Sequence, residues 1–99
     1  MRRAARVDHN QPQIVAALRA VGAFVQTLHV IGRGCPDILV SYRGCWTVME
    51  LKDGAKPPSA RRLTPDEVAW HALAKAPVYV VSSVEEALAA IGLAVTRAA

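Results

Sequence analysis

The chain has 99 residues, 53% of them hydrophobic, and its twelve Lys and Arg against eight Asp and Glu give a net charge of +4. This length supports one domain with a single core, predicted here to span residues 1–99, and no apolar run reaches the ~18 residues that a membrane span requires. We therefore expect a cytoplasmic, intracellular protein whose charge favours a polyanionic partner such as nucleic acid, and whose apolar surplus favours self-association.

The first predicted element is a helix in the stretch "DHNQPQIVAALRAVG". Asn10 or Asp8 can cap this helix, because both side chains offer an oxygen to free backbone N–H groups. Pro12 suits its first turn, and Gly22 ends it. The run "AFVQTLHVI", residues 23–31, then predicts a β-strand, which the glycines and proline of "GRGCP" interrupt.

Two further strands are predicted in "DILVSY" and "CWTVMELK", which lie close enough in sequence to form a β-hairpin around Arg43-Gly44. Arginine is not favoured at the first position of a tight hairpin turn, so a loop longer by a residue or two is the alternative. The following segment, residues 53–63, holds Gly, Pro, Ser and several cations, and it predicts a flexible, exposed basic loop.

The last part of the chain predicts two helices with a strand between them. In "LTPDEVAWHALAK", Thr64 and Glu67 form the reciprocal pair of a capping box with Pro65 at the first helical position. "PVYVVS" reads as a strand, and Ser83 caps a final helix in "SVEEALAAIG". The order α-β-β-β-α-β-α, with strands apolar on both faces, predicts an α/β sandwich with a mixed β-sheet and helices on both faces.

The hairpin also predicts a cluster of functional groups. Symmetric pairing about its turn places Asp37 opposite Glu50, with Cβ atoms about 5 Å apart. Lys52 projects from the same face about 7 Å further along the strand. Two adjacent carboxylates repel unless a cation lies between them, and the main-chain carbonyl of Leu51 adds a third hard oxygen, so the pattern indicates Mg²⁺ or Mn²⁺. With Lys52 orienting or deprotonating a water, the chemistry indicated is phosphodiester hydrolysis.

These residues carry a resemblance to a known family. Pro36-Asp37, a gap of twelve residues and then Glu50-Leu51-Lys52 resemble the PD-(D/E)XK nuclease motif on its hairpin. With a helix before it and "KPPSARRLTPDEVAWH" after it, the stretch 8–92 resembles the virus-type replication-repair nuclease (VRR-NUC) branch. The resemblance implies a small restriction-endonuclease-like sandwich, with Asp37 and Glu50 as metal ligands and Lys52 as the catalytic lysine.

The same resemblance implies a substrate and a partner. Stand-alone members of the branch from bacteria and phages are similar to Holliday junction resolvases, which act as homodimers on branched DNA with Mg²⁺ or Mn²⁺. The family often has a Glu on its first helix, where this chain has the amides Gln11 and Gln13, and a Gln on the helix after the catalytic strand, where it has Glu67. We assign catalytic roles to Gln11 and Glu67 as well, and we expect weakened activity rather than none.

Cations around this site predict contact with DNA phosphates. Lys56, Arg61 and Arg62 follow the catalytic strand on its loop, and Arg33 lies between two glycines near Asp37. An ordinary solvated loop is the alternative for the first three. Residues 1–8 form a similar basic tail.

Several side chains have two readings. Trp46 and Trp70 are interpreted as core or dimer contacts, with base stacking as the alternative. Cys35 and Cys45 are interpreted as reduced, partly buried thiols, with a disulfide as the alternative. At the level of function, the alternative to a nuclease is a nuclease-fold module that binds nucleic acid or a replication partner without cutting it.

Overall fold

A computed structural model describes residues 9–93 as a small α/β domain with three α-helices and a mixed four-stranded sheet, as the sequence predicted. The elements follow one another as α1 (Gln11–Ala20), β1 (Phe24–Thr27), β2 (Ile38–Tyr42), β3 (Cys45–Leu51), α2 (Pro65–Ala74), β4 (Tyr79–Val81) and α3 (Val84–Ala90). A 3-10 turn at Pro58–Arg61 interrupts the exposed basic loop. The basic tail predicted for residues 1–8 lies outside the described residues.

The sheet has the order β1-β2-β3-β4, with three antiparallel strands and β4 parallel to β3. In the hairpin, Ile38 pairs with Met49 and Tyr42 with Cys45, so the loop is the two residues Arg43-Gly44. Both have positive φ, 51° and 80°, which is the conformation of a primed turn. The twist of such a turn matches that of the strands, so the short loop forms even with arginine in its first position.

The core lies between the sheet and the pair α1 and α3. Ile14 and Leu18 on α1 and Ala87 on α3 face strand residues such as Val40 and Met49, and all of these side chains are buried. The apolar residues of α1 recur at three- and four-residue intervals, so they form one stripe that fits this face. The packing fixes where α1 begins, close to the ends of the central strands.

Asn10, just before α1, makes a contact that the sequence did not predict. Its side chain is not used as a helix cap. Instead Nδ2 donates to the carbonyl of Lys52 at 3.0 Å and to that of Ser82 at 3.1 Å. Both carbonyls lie directly after strands, so Asn10 ties the first turn of α1 to the ends of β3 and β4.

The opposite face of the sheet is exposed at Phe24 and Trp46 and buried at Glu50, so the expected sandwich with helices on both faces stays a prediction. None of the residues of α2 is buried, and its apolar side chains Val68 and Leu73 are exposed. A helix with no buried stripe has little to pack on a sheet. Trp46, interpreted from sequence as a core or dimer contact, is exposed on this face and is not a core residue.

Two smaller differences concern the strands and helices. β1 is shorter than the apolar run 23–31, because the chain turns after Thr27 and Ile31 N–H donates to the carbonyl of Leu28. The capping box of Thr64 and Glu67 is confirmed, and Ser83 caps α3 by accepting from the N–H of Glu86. Among residues 9–93, no helix is both long enough and apolar enough to cross a membrane.

Candidate active site

The register of the hairpin brings the carboxyl groups of Asp37 and Glu50 together at the ends of β2 and β3. Asp37 N–H donates to the carbonyl of Met49 at 3.0 Å, which continues the ladder one residue beyond Ile38. Asp37 Oδ2 accepts from Leu51 N–H at 2.7 Å, so the carboxyl group is held across the strand. The Asp37 carboxyl group lies close enough to that of Glu50 to raise its pKa. Leu51 thus contacts Asp37 through its N–H, and a role for its carbonyl as a metal ligand stays a prediction.

The environment of Glu50 disfavours its charged form. Only 2% of this residue is exposed, and among residues 9–93 its buried Oε1 has no hydrogen-bond partner. Burial raises the pKa of Glu50 to about 10, and the hydrogen bond and charge of Asp37 and the charge of Glu67 act in the same direction. A neighbouring carboxylate offers no donor, so a proton or a cation between the two acids is required to remove the repulsion.

Lys52 joins this acid pair to a third carboxyl group. Its Nζ lies 3.9 Å from Glu50 Oε2 and 2.8 Å from Glu67 Oε1. Burial alone would raise the pKa of Glu67, but the hydrogen bond from Lys52, that from the Thr64 N–H and the charge of Lys52 together lower it. Glu67 is therefore ionised at neutral pH and holds the ammonium group beside Glu50.

The first turn of α2 places Glu67 at the site. Glu67 Oε1 accepts from Thr64 N–H at 2.9 Å as well as from Lys52, so the capping box and the contact with the site use the same atom. The loop before β2 supports this turn from the other side. A Cβ on Gly34 would collide with the backbone carbonyl of Asp66 and lie 2.8 Å from Glu67 N, so only glycine allows this approach.

The first helix contributes a buried amide. Gln11 is 4% exposed, and its Oε1 finds no hydrogen-bond partner within the described part of the chain. The preceding residue, Asn10, is bonded to the carbonyl of Lys52, so the first turn of α1 starts next to the end of β3. Gln13 is exposed instead. The catalytic role of Gln11 stays a prediction.

Cys35 belongs to the surroundings of the acid pair, which the sequence did not indicate. Burial raises the pKa of the Cys35 thiol, and the negative charges of Glu50 and Asp37 raise it further. The sequence signal for this proximity was that Cys35 directly precedes Pro36-Asp37, which leads into β2. Both cysteines are free thiols, and Cys45 at the hairpin is exposed rather than partly buried.

The predicted phosphate-binding cations lie in two loops, one before β2 and one before α2. Arg33, at φ 56°, directly precedes Gly34, which touches this turn. Lys56 and Arg62 are exposed, while Arg61 is partly buried, all shortly before α2. His71, one turn after Glu67, is half-buried and lies edge-on to Trp70. Contact of these cations with nucleic acid stays a prediction.

The donor atoms are compatible with a hard divalent cation, although the set is small. Within residues 9–93 no group of three or more His, Cys, Asp or Glu side chains is arranged to hold a metal ion. Mg²⁺ usually keeps several waters and binds proteins through one or two carboxylates, so the pair Asp37 and Glu50 meets its requirement. The unpartnered oxygen of Glu50 is the atom with the clearest need for such a partner.

In comparison with known proteins, no family model, no curated protein and no solved structure matches this chain. The resemblance to PD-(D/E)XK nucleases therefore stays a prediction, and function has to be argued from the geometry of the site.

Proposed function

We propose that the protein is a divalent-metal-dependent endonuclease that hydrolyses phosphodiester bonds in branched DNA at the site formed by Asp37, Glu50 and Lys52. The observation that carries the proposal is the buried pair of carboxyl groups with an unpartnered oxygen on Glu50. A purely structural role would favour replacing one acid by an amide or an apolar residue, because burying two acids side by side is costly. Such costs are typical of functional sites.

Asp37 and Glu50 would hold Mg²⁺ or Mn²⁺, with the carbonyl of Leu51 and the amide of Gln11 as further oxygen donors. When bound, the ion would help generate the attacking nucleophile from water and stabilise the leaving oxygen of the phosphodiester. Binding of the ion also requires Glu50 to release its proton, so a pKa of about 10 makes metal affinity rise with pH in the neutral range.

Lys52 positions the attacking water and compensates the negative charge of the phosphate. Its ammonium group is held between Glu50 and Glu67, and the capping box fixes Glu67, so the amine has a defined position relative to the acid pair. Arg33, Lys56, Arg61 and Arg62 would contact the phosphates on either side of the scissile bond. These contacts fix the register of the DNA without reading its sequence.

A homodimer, a restriction-endonuclease-like sandwich and an intracellular location belong to the same proposal. One site cuts one strand, so symmetric cleavage of a four-way junction requires two copies related by a two-fold axis. Val30 and Ile31 on the loop before β2 and Leu73 on α2 are exposed apolar side chains that favour such an association.

A module that binds nucleic acid without cutting it is the second candidate. The observation that favours it is the pairing within the site itself: Lys52 is bonded to Glu67, and a protonated Glu50 can donate to Asp37. The amide of Gln11 at the position where the resembled family often has a carboxylate points the same way.

Cleavage of a DNA panel decides between the two candidates. Four-way, flapped, duplex and single-stranded DNAs are incubated with the protein in Mn²⁺, in Mg²⁺ and in EDTA. We expect metal-dependent cleavage of branched DNA that falls roughly a thousandfold in Asp37→Asn, since loss of a metal ligand costs several kcal/mol in the transition state. Asparagine keeps an acceptor for Leu51 N–H, so the fold is retained.

Glu85→Gln serves as the matched control, because it makes the same change from acid to amide on the exposed surface of α3. It should cut like the wild type. Binding of DNA by the wild type without cleavage of any substrate in either metal would contradict the endonuclease and support the module.

A further inference from the structure

Two aromatic rings are exposed on the sheet face opposite α1 and α3. Trp46 on β3 is 65% exposed and Phe24 on β1 is 53% exposed. Both pair with Ser41 across β2, and their ring centroids lie 6.5 Å apart at an interplanar angle of 85°. In an edge-to-face contact one ring uses only its edge, so the contact itself covers neither face of that ring. Large apolar rings exposed in this way mark an interaction surface.

The aromatic pair lies on the same sheet face as the acid pair. Trp46, Val48 and Glu50 alternate on β3, so their side chains point to one side, and Trp46 is about 13 Å from Glu50 along the strand. The strand residues between the two pairs on this face are Gln26, Leu39 and Val48, all uncharged. An uninterrupted neutral strip therefore leads from the rings to the site.

A cation lies near each end of this strip in the chain. Arg43 at the tip of the hairpin is exposed and close to Trp46 in sequence, and its guanidinium group lies 5.0 Å from the centroid of the Tyr42 ring, which packs against the core on the other sheet face. Lys52 lies at the other end. Among the described strand residues of this face, Glu50 is the acidic one, and Asp37 directly precedes β2. Aromatic rings beside cations are the combination that binds single-stranded nucleic acid.

We propose that Trp46 and Phe24 form a stacking platform for unpaired bases of the nucleic acid that the site receives. The proposal rests on the proposed nuclease function and specifies its substrate: DNA with a single-stranded segment next to the cleaved bond. The bases of that segment stack on the exposed rings, and the strand runs along the strip toward the acid pair.

A second copy of the chain fits this face less well. The strip is continuous with the acid pair, so a copy packed across the rings would also cover the approach to Glu50 and block the substrate. The absence of acidic side chains between the rings and the site, in the strands described, likewise favours a polyanion.

Fluorescence titration of Trp46 tests the platform. Trp70→Phe leaves Trp46 as the single tryptophan, and the variant is titrated in EDTA with single-stranded DNA and with an abasic strand of equal length and charge. We expect the normal strand to quench Trp46 and to bind roughly tenfold to a hundredfold more tightly than the abasic one. Trp46→Ala, measured by anisotropy of labelled DNA, should lose this preference and bind both strands equally weakly.

The outcomes separate the platform from the nuclease. Equal binding of normal and abasic strands by the wild type, or no binding of either, would overturn the platform, whatever the cleavage assay shows. So would a Trp46 signal that changes with protein concentration in the absence of DNA, together with a shift from dimer to monomer in Trp46→Ala. Base-dependent binding without metal-dependent cleavage would leave the platform standing and remove the nuclease. Thermal unfolding of Trp46→Ala checks that this exposed substitution leaves the fold intact.

Discussion

The raised pKa of Glu50 makes the free energy of unfolding depend on pH. Its ordinary pKa is 4.5, and burial beside Asp37 raises the folded value to about 10. Between these values the folded state keeps a proton that the unfolded state releases, so the stability contributed by Glu50 is fully present below pH 4.5 and falls as pH rises toward the folded pKa. Glu67 has the opposite sign: its lowered pKa gives stability that is present above pH 4.5 and lost on acidification.

Glu50→Gln should therefore stabilise the metal-free protein at alkaline pH. In EDTA at pH 8 we expect a melting temperature several degrees above the wild type, since about 1 kcal/mol shifts it by about 4–8 °C in a domain of this size. At pH 4 both side chains are neutral, so the two proteins should melt alike. Glu67 is present in both, so its titration cancels from the difference. Circular dichroism melts at pH 4, 6 and 8 measure the effect.

Repeating these melts with Mn²⁺ tests whether Glu50 takes part in binding a metal ion. A cation bound by Asp37 and Glu50 stabilises the folded state, so Mn²⁺ should raise the melting temperature of the wild type and not that of Glu50→Gln. Glu85→Gln, an exposed change of the same kind, should follow the wild type at every pH. A stability difference between Glu50→Gln and the wild type that stays constant from pH 4 to pH 8 would rule out this account of Glu50.

At the scale of elements, local signals predicted the hairpin and the helix starts. The Arg43-Gly44 turn fixes the register between β2 and β3, and this register places Asp37 beside Glu50. Thr64 and Glu67 formed their capping box as predicted, because its atoms are three residues apart. Contacts within a few residues depend on local geometry, which sequence patterns encode.

Contacts between elements that are distant in the chain were not predicted from the sequence. Asn10 was predicted as a cap, yet it bonds to the carbonyls of Lys52 and Ser82, which packing of α1 brings to it. A role for Glu67 at the site was expected from the resemblance alone, and the predicted capping box did not indicate that the same oxygen would also bind Lys52. The exposure of Phe24 and Trp46 was also missed, because strands apolar on both sides suggest a helical layer over the whole sheet, whereas α2 has no buried residue.

Gly34→Ala tests whether this loop positions the site. Its φ of 83° and the collision of the new Cβ with the backbone of Asp66 should together cost about 2–4 kcal/mol. Gly32→Ala is the matched control: it also has positive φ, 68°, but open space around its Cβ, so backbone strain alone, about 1 kcal/mol, is expected. Urea unfolding compares them. Equal losses in the two variants would show that the contact with α2 does not support the fold.

At the scale of the whole molecule, positive charge is placed where the proposed substrate would enter. The net charge is +4, and the cations Arg33, Lys56 and Arg62 are exposed: Arg33 precedes Gly34, which touches the first turn of α2, and the other two lie in the loop before α2. Glu67 on this turn is paired with Lys52, so its charge is compensated within the site. We propose that the three cations neutralise phosphates on both sides of the scissile bond.

The salt dependence of DNA binding measures how many of these cations contact phosphate. Each contact adds about one to the slope of log affinity against log salt, so Arg33→Gln, Lys56→Gln and Arg62→Gln combined should lower the slope by about three. Lys75→Gln is the control, because Lys75 is exposed at the far end of α2, about 15 Å from its first turn. Anisotropy titrations in EDTA over a range of NaCl concentrations give the slopes. If the triple variant keeps the wild-type slope, or if Lys75→Gln lowers it by as much as each substitution in the set, DNA does not lie along this side of the site.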